Sequence, residues 1–391
     1  MKSLLLLIAA LLASSAASAN TDIGVISYWG TNQALYDQLP EGSVALVNPD
    51  NGIFVSAGQT KTLVPNLSDY KTIVRKAARR DIAMLGYVPT GYFNHTCDAI
   101  GQCQTWERIE AQVQAYFTNM PRLEGIFFDE AAPAAWDCNA FPAEYQRLRD
   151  IVYKYKDDAT IAFNAGVPDN CAVAGAEAGD ILVLFESDQN AYAAQAQNIQ
   201  VSTTTALNKG VTTWHLIHSV KTVDGLNAVF AQAKATNVDL FYATDIGGNW
   251  QAGENTWGSL PSYWQQEVAL LSGASEQLAP TCSSLASAPS GQIVSKVRWE
   301  DVGKPGYIYI GARDTNGHTW MHDGRTWTEY TSGTRSVYTS QTITGLLSLP
   351  YDRVSALLST LPATPKAVWT AYALADDRDH LKRKKRICVN R

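Results

Sequence analysis

Three carboxylates close two apolar runs in this chain. Asp129 and Glu130 end Leu123-Glu124-Gly125-Ile126-Phe127-Phe128-Asp129-Glu130, and Glu186 ends Asp180-Ile181-Leu182-Val183-Leu184-Phe185-Glu186. Charged side chains rarely finish a buried strand without a use. In parallel α/β proteins the carboxyl ends of the strands carry ligands and catalytic groups. Two acids facing one pocket supply what glycosidic cleavage requires: a proton donor and a nucleophile or base. Side chains alternate along a strand, so Asp129 and Glu130 cannot face the pocket in the same way. One meets the substrate, and the other turns aside to support it or acts from the loop. Alternate strands fill one layer of a barrel, which lets the fourth and sixth strands set Asp129 and Glu186 across one pocket as nucleophile and general acid. The acid has to stay protonated near working pH, helped by burial and a like charge nearby.

Other polar groups cluster at strand ends: Asn48 and Asn51, Tyr87 and Tyr92, Asn164, His218 and Asp245. Amides, phenols, imidazole and carboxylate are hydrogen-bond partners for sugar hydroxyls. His215 lies three before His218, so the two face opposite ways and do not share a metal; His215 reads equally well as a satisfied core histidine. No CxxC pair or HExxH run occurs, and neither a metal nor any other cofactor is expected. Trp29, Tyr92, Trp136, Trp250 and Trp257 fall in or near the strand-end loops, where aromatics either stack on sugar rings or fill the core.

The elements that must position these groups are legible as eight apolar runs: Ile23–Trp29, Ser43–Asn48, Ile82–Val88, Leu123–Asp129, Thr160–Asn164, Ile181–Glu186, Thr213–His218 and Val238–Thr244. Most are continuous rather than alternating, the mark of strands buried on both faces. Helical spacing separates many of them, from Ser68 onward, over Trp106–Met120, Phe141–Tyr155 and Leu226–Ala235. The pattern predicts a (β/α)8 TIM barrel over residues 20–275. A doubly wound sheet is the competing fold, but no Gly-rich dinucleotide loop follows the first strand.

Residues 1–19 read as a secretory signal peptide: Lys2, an apolar run from Leu4 to Leu12, then Ala17-Ser18-Ala19. The protein is therefore expected to be secreted, with no membrane span. Residues 276–291 are rich in Ser, Ala and Pro and read as a linker. Residues 292–391 carry short β-prone runs broken by Thr315-Asn316-Gly317 and Asp323-Gly324-Arg325, and read as a small β-rich accessory domain. That domain binds polysaccharide if Trp299, Trp320 and Trp327 form an exposed row, and is a structural accessory if they are buried. The cluster Lys382-Arg383-Lys384-Lys385-Arg386 reads as a solvated end. The net charge of −6 excludes general nucleic-acid affinity. Six cysteines in an exported chain suit disulfides, with Cys282–Cys388 expected to close the C-terminal part and the other pairings open.

Several segments together resemble the spherulin-4-like family of glycoside hydrolases: Val44-Ala45-Leu46-Val47-Asn48-Pro49-Asp50-Asn51-Gly52, Leu85-Gly86-Tyr87-Val88-Pro89-Thr90-Gly91-Tyr92, Gly125-Ile126-Phe127-Phe128-Asp129-Glu130, Asn164-Ala165-Gly166 and Leu184-Phe185-Glu186. The resemblance implies a metal-free TIM barrel, working as a monomer, that cleaves α-1,4-linked galactosamine or N-acetylgalactosamine polymers internally. It implies Asp129 as nucleophile, Glu186 as acid/base and Glu130 in support, and hence a retaining mechanism. Asn164-Ala165-Gly166 stands where many relatives carry Asn-Pro-Gly, and the cysteine-containing stretch Asn94 to Cys103 is an insertion. The competing function is a non-catalytic cell-surface, coat or polysaccharide-binding protein on the same barrel.

Overall fold

The computed structural model describes residues 21–56, 61–80, 82–94, 103–133, 136–157, 159–249, 253–276, 292–296, 303–331, 335–343, 346–376 and 382–389. The expected signal peptide, Trp250, most of the expected linker, Cys282 and Trp299 lie outside the described residues.

The strands β1 (Asp22–Val25), β2 (Val44–Val47), β3 (Ala83–Pro89), β4 (Gly125–Asp129), β5 (Thr160–Asn164), β6 (Ile181–Asp188), β7 (Thr212–His218) and β8 (Leu240–Ala243) close a parallel barrel in chain order, as the apolar runs predict. Closure comes from β1 pairing with β8, Asp22 opposite Leu240 and Ile23 opposite Phe241. Around the barrel lie α1 (Gln33–Tyr36), α2 (Leu67–Arg79), α3 (Trp106–Asn119), α4 (Ala140–Tyr153), α5 (Asn170–Gly175), α6 (Gln189–Ala194), α7 (Ala196–Asn208), α8 (Val223–Thr236) and α9 (Trp264–Glu276). The α2 helix buries Tyr70, Ile73, Val74 and Ala77 on one stripe, and α3 buries Ile109, Val113, Tyr116 and Phe117. Thr105 and Thr222 accept hydrogen bonds from the first turns of α3 and α8 through their side chains, satisfying amides that a helix start leaves unpaired.

Strand alternation sorts the side chains. Phe127 and Asp129 share one face of β4, and Phe128 faces the other way, stacked on Phe163. Inside the barrel an aromatic column runs toward the carboxyl end: Trp214 meets Phe127 edge to face at 5.8 Å, Phe127 stacks on Tyr87 at 6.2 Å, and Tyr87 meets Tyr28 at 5.5 Å. Glycine makes room at two points. A Cβ on Gly24 would lie 2.7 Å from the Trp214 ring, and one on Gly125 would lie 1.7 Å from the Thr160 carbonyl oxygen. His215 is fully buried on the outer face, with Nδ1 2.9 Å from the Tyr192 hydroxyl and Nε2 3.1 Å from Thr203 Oγ1. Burial holds its pKa down to about 3, so it is a neutral core histidine.

Regular alternation would turn Glu186 outward, since Val183 faces the interior opposite Trp214. The register between β6 and β7 shifts between Val183 and Phe185, so Glu186 pairs with Leu216 on the same face as Trp214. A β-bulge re-aims side chains in this way. The loop after β5 fills it: Gly166 donates to the Val183 carbonyl at 3.2 Å and accepts from the Glu186 amide at 2.9 Å. Gly166 sits at φ +71°, a left-handed conformation open to glycine.

The C-terminal part is antiparallel. Among the described residues, strands β9 (Gln292–Lys296), β10 (Pro305–Asp314), β11 (Thr319–His322), β12 (Trp327–Tyr330), β13 (Thr339–Thr342), β14 (Leu346–Pro350), β15 (Pro365–Leu374) and β16 (Lys382–Val389) accompany the helix α10 (Tyr351–Ser359). Their main sheet runs β12-β11-β10-β15-β16, with β13 also on β10, and β9 pairs with β14. Trp327 is buried and donates to the Leu357 carbonyl, and half-buried Trp320 donates to Asp314. Those two indoles are packing groups rather than an exposed row. The backbone of the basic cluster belongs to strand β16, which pairs with β15 at the end of the sheet order.

Candidate active site

Asp129 ends β4 inside the barrel mouth. Its Oδ2 accepts from the Tyr87 hydroxyl at 2.7 Å and its Oδ1 from the Asn164 amide nitrogen at 2.7 Å. Tyr28 and the Glu130 backbone amide also hydrogen-bond this carboxyl. Glu186, brought round by the bulge, accepts at Oε2 from the same Asn164 nitrogen at 2.6 Å and at Oε1 from the Trp257 indole at 3.0 Å. One amide nitrogen thus bridges both acids. Its two legs keep the two accepting oxygens no farther apart than their sum, so the carboxyls stand side by side across Asn164. The bridge also fixes the amide orientation, because a flipped Asn164 would press its oxygen against two acids. Asn164 Oδ1 is left buried with no hydrogen-bond partner among the described residues, and a buried acceptor in that state costs about 1–3 kcal/mol until a donor arrives.

Burial raises the pKa of both carboxyls. For Glu186 it is the largest cause, followed by the charge of Asp129, and together they lift it to about 7. Asp129 is also raised by burial, opposed by the hydrogen bonds from Tyr87, the Glu130 amide, Asn164 and Tyr28. With more donors on Asp129, the pair loses its first proton there, and that negative charge keeps Glu186 protonated. Around them Tyr28 and Tyr87 are held well above the ordinary phenol value, by burial and then by Asp129, and stay neutral donors.

Glu130 takes a different position. Its backbone is left-handed, φ +55°, and its carboxylate accepts from the Gly91 amide at 3.0 Å. Its carbonyl accepts from the Thr90 hydroxyl at 2.6 Å. The second acid of the Asp129-Glu130 pair is thus tied to the loop after β3.

The remaining expected residues divide. Tyr87 and Asn164 touch the acid pair directly. Tyr92 is half exposed at the mouth, where the charges of Glu130, Asp129 and Glu186 reach it. His218 lies edge-on to Trp257 at 6.3 Å, with Nδ1 3.0 Å from Ser219 Oγ. Asn48 turns into its own loop and accepts from the Gly52 amide at 3.1 Å, and Asn51 is exposed in that loop at φ +49°. The Asp245 carboxylate accepts from the Ser262 amide at 3.3 Å, and its contacts are structural. Tyr28 falls outside the sugar-binding residues that the sequence points to, and Trp257 enters there only as an aromatic of its loop. The signal for Tyr28 was Tyr28-Trp29-Gly30, an aromatic pair and a glycine closing the first apolar run.

The Cys138–Cys171 disulfide joins the loop after β4 to the first turn of α5, and beside it the Trp136 indole donates to Asp169 at 2.9 Å. Cys138, Cys171 and Asp169 are the one group of metal-binding spacing among the described residues, and the disulfide leaves neither sulfur as a thiolate ligand.

A family model described as Spherulation-specific family 4 matches residues 27–271. Spherulin-4 of Physarum polycephalum is 28% identical over 106 residues, a match spanning 27% of this chain and 27% of that protein's length. Similar solved structures include the catalytic domain of the major endoglucanase from Xanthomonas campestris pv. campestris, at 14% identity and a TM-score of 0.40 over 65% of this chain and 93% of that one. Another is endoglucanase Cel5A from Thermotoga maritima, at 8% identity and a TM-score of 0.42 over 65% of this chain and 96% of that one.

Proposed function

This chain belongs to the spherulation-specific family 4, and from that premise we propose that it is a secreted glycoside hydrolase. It cleaves α-1,4-linked galactosamine or N-acetylgalactosamine polymers internally, with retention of anomeric configuration. The observation that carries the reading is the bridge of Asn164 between Asp129 and Glu186. It brings two buried carboxyls together, and the Glu186 pKa of about 7 supports reading Glu186 as the general acid and Asp129 as the nucleophile.

Asp129, held by its donors, attacks the anomeric carbon as Glu186 gives its proton to the departing glycosidic oxygen. The glycosyl–Asp129 ester forms as the glycosidic bond breaks. Glu186, now a carboxylate, takes a proton from water, which displaces Asp129 and restores both groups. The unpartnered Asn164 Oδ1 offers an acceptor to an N–H or O–H of the bound sugar. The Cys138–Cys171 disulfide supports an extracellular setting.

Mass spectrometry of oligosaccharides released from galactosamine-containing exopolysaccharide tests the reading. The wild type releases them, while Asp129→Asn and Glu186→Gln, folded as judged by circular dichroism, release at least about a thousandfold less. Absence of release by the wild type from acetylated and deacetylated polymer alike rejects the substrate assignment. Undiminished release by the variants rejects the acid pair.

A further inference from the structure

We propose that Glu130 is a positioning residue, holding the loop after β3 so that the ring of Tyr92 forms a wall of the sugar-binding cleft beside Asp129 and Glu186. The inference rests on the glycosidase reading of that acid pair.

Three neighbouring non-glycine residues adopt left-handed backbone: Tyr92 at φ 54°, Phe93 at φ 55° and Glu130 at φ 55°. Such conformations are strained for residues with a Cβ and persist where surrounding contacts impose them. Here the contacts join the two strand ends. The Thr90 amide donates to the Asp129 carbonyl at 3.0 Å, the Thr90 hydroxyl to the Glu130 carbonyl, and the Gly91 amide to the Glu130 carboxylate.

The consequence is a separation of adjacent rings. Phe93 packs inward, stacked on Trp106 at 6.0 Å, and Trp106 in turn lies under the Arg147 guanidinium at 4.1 Å. Tyr92 is thrown outward and is 49% exposed. Burial of its remaining half, and then the charges of Glu130, Asp129 and Glu186, raise its phenol above the ordinary pKa, so the ring stands within the field of the whole acid cluster. A large ring kept half bare on strained backbone, fastened to the strand that carries Asp129, has no role in the core. A pyranose ring in the cleft would cover it, aliphatic face against aromatic face.

The test is steady-state kinetics on galactosamine-containing oligosaccharides. Tyr92→Ala raises KM about three- to tenfold and moves kcat much less, the loss expected of one aromatic contact. Glu130→Ala raises KM by a similar factor, Glu130→Gln restores it because the amide oxygen still accepts from Gly91, and Glu130→Ala adds nothing in the Tyr92→Ala background. The inference is overturned if Glu130→Gln loses kcat as deeply as Asp129→Asn, if Tyr92→Ala leaves KM unchanged, or if the two alanine effects add. A wild type without turnover rejects the glycosidase reading instead. Calorimetric titration of the same oligosaccharides into wild type and Tyr92→Ala then decides the inference by itself, equal affinities rejecting it.

Discussion

Trp257 donates its indole N–H to Glu186 across 71 residues of sequence, at 3.0 Å. A hydrogen bond to a carboxylate favours the charged form, so this contact pulls the Glu186 pKa down against burial and the Asp129 charge. Trp257→Phe removes the donor and keeps an aromatic ring in a fully buried place. The alkaline limb of the kcat/KM profile, which falls near pH 7 as Glu186 ionises, is expected to move to higher pH. A pH–rate profile checks it; a limb that stays in place or moves down removes Glu186 as the group being titrated.

The raised pKa of Glu186 also bears on stability. In the unfolded chain this carboxyl ionises near its ordinary value of 4.5, whereas in the folded barrel it ionises near 7. Its contribution is fully present below pH 4.5 and is lost as pH rises through 7, because the unfolded chain releases its proton first. Glu186→Gln is therefore expected to raise Tm at pH 8 and to change it little at pH 4. Each kcal/mol relieved is worth about 2–4 °C in a domain the size of the barrel. Thermal melts of both proteins at the two pH values check it, and an equal shift at both would show that packing rather than charge is responsible.

Arg149 and Asp180 form a buried ion pair between α4 and the start of β6, at 2.8 Å. Arg149 also donates to the Gly175 carbonyl, and Asp180 accepts from the Glu177 amide. Asp180→Ala leaves the buried guanidinium only its longer contact with the exposed Glu177 carboxylate at 3.6 Å, and a loss of about 3–5 kcal/mol is expected. Urea denaturation measures it. Joint replacement with Arg149→Met is expected to recover part of the loss, since neither charge then remains uncompensated.

The Cys138–Cys171 disulfide joins residues 33 apart in sequence. Closing a loop of that length stabilises by about 3–4 kcal/mol in the chain-entropy account. The Cys138→Ser and Cys171→Ser double variant is expected to melt several degrees lower. Dithiothreitol is expected to lower the wild type at least as far, because Cys138 is exposed to the reductant and Cys103 is disulfide-bonded as well. Melting curves with and without reductant check both.

The barrel was legible because continuous apolar runs need cover on both faces, and the eight runs and eight strands coincide in order, with shifted ends such as Asp22–Val25 for Ile23–Trp29. The acids were legible because carboxylates close two such runs. The aim of Glu186 was not. Strict alternation from Val183 puts it outside, and the bulge that reverses it depends on Gly166 from another loop. Glu130 was ambiguous for a related reason, since the left-handed turn that sends its carboxylate to Gly91 leaves no trace in the residue types. The Asn48 and Asp245 side chains bond backbone amides of nearby loops, and residue type alone does not separate that use from sugar binding.

The pairing of β1 with β8 has a consequence for how the chain is made. Thr21 reaches the Val238 carbonyl across 217 residues, and Ile23 finds Phe241. Until residues 240–243 have emerged, the sheet is an open ribbon with unpaired edges at β1 and β7, the kind of template on which chains aggregate. Four residues then seal both edges at once. The barrel therefore commits late in synthesis, through one long-range contact that is slow to find. A chain cut short before Leu240 is expected to be a client for chaperones rather than a smaller enzyme.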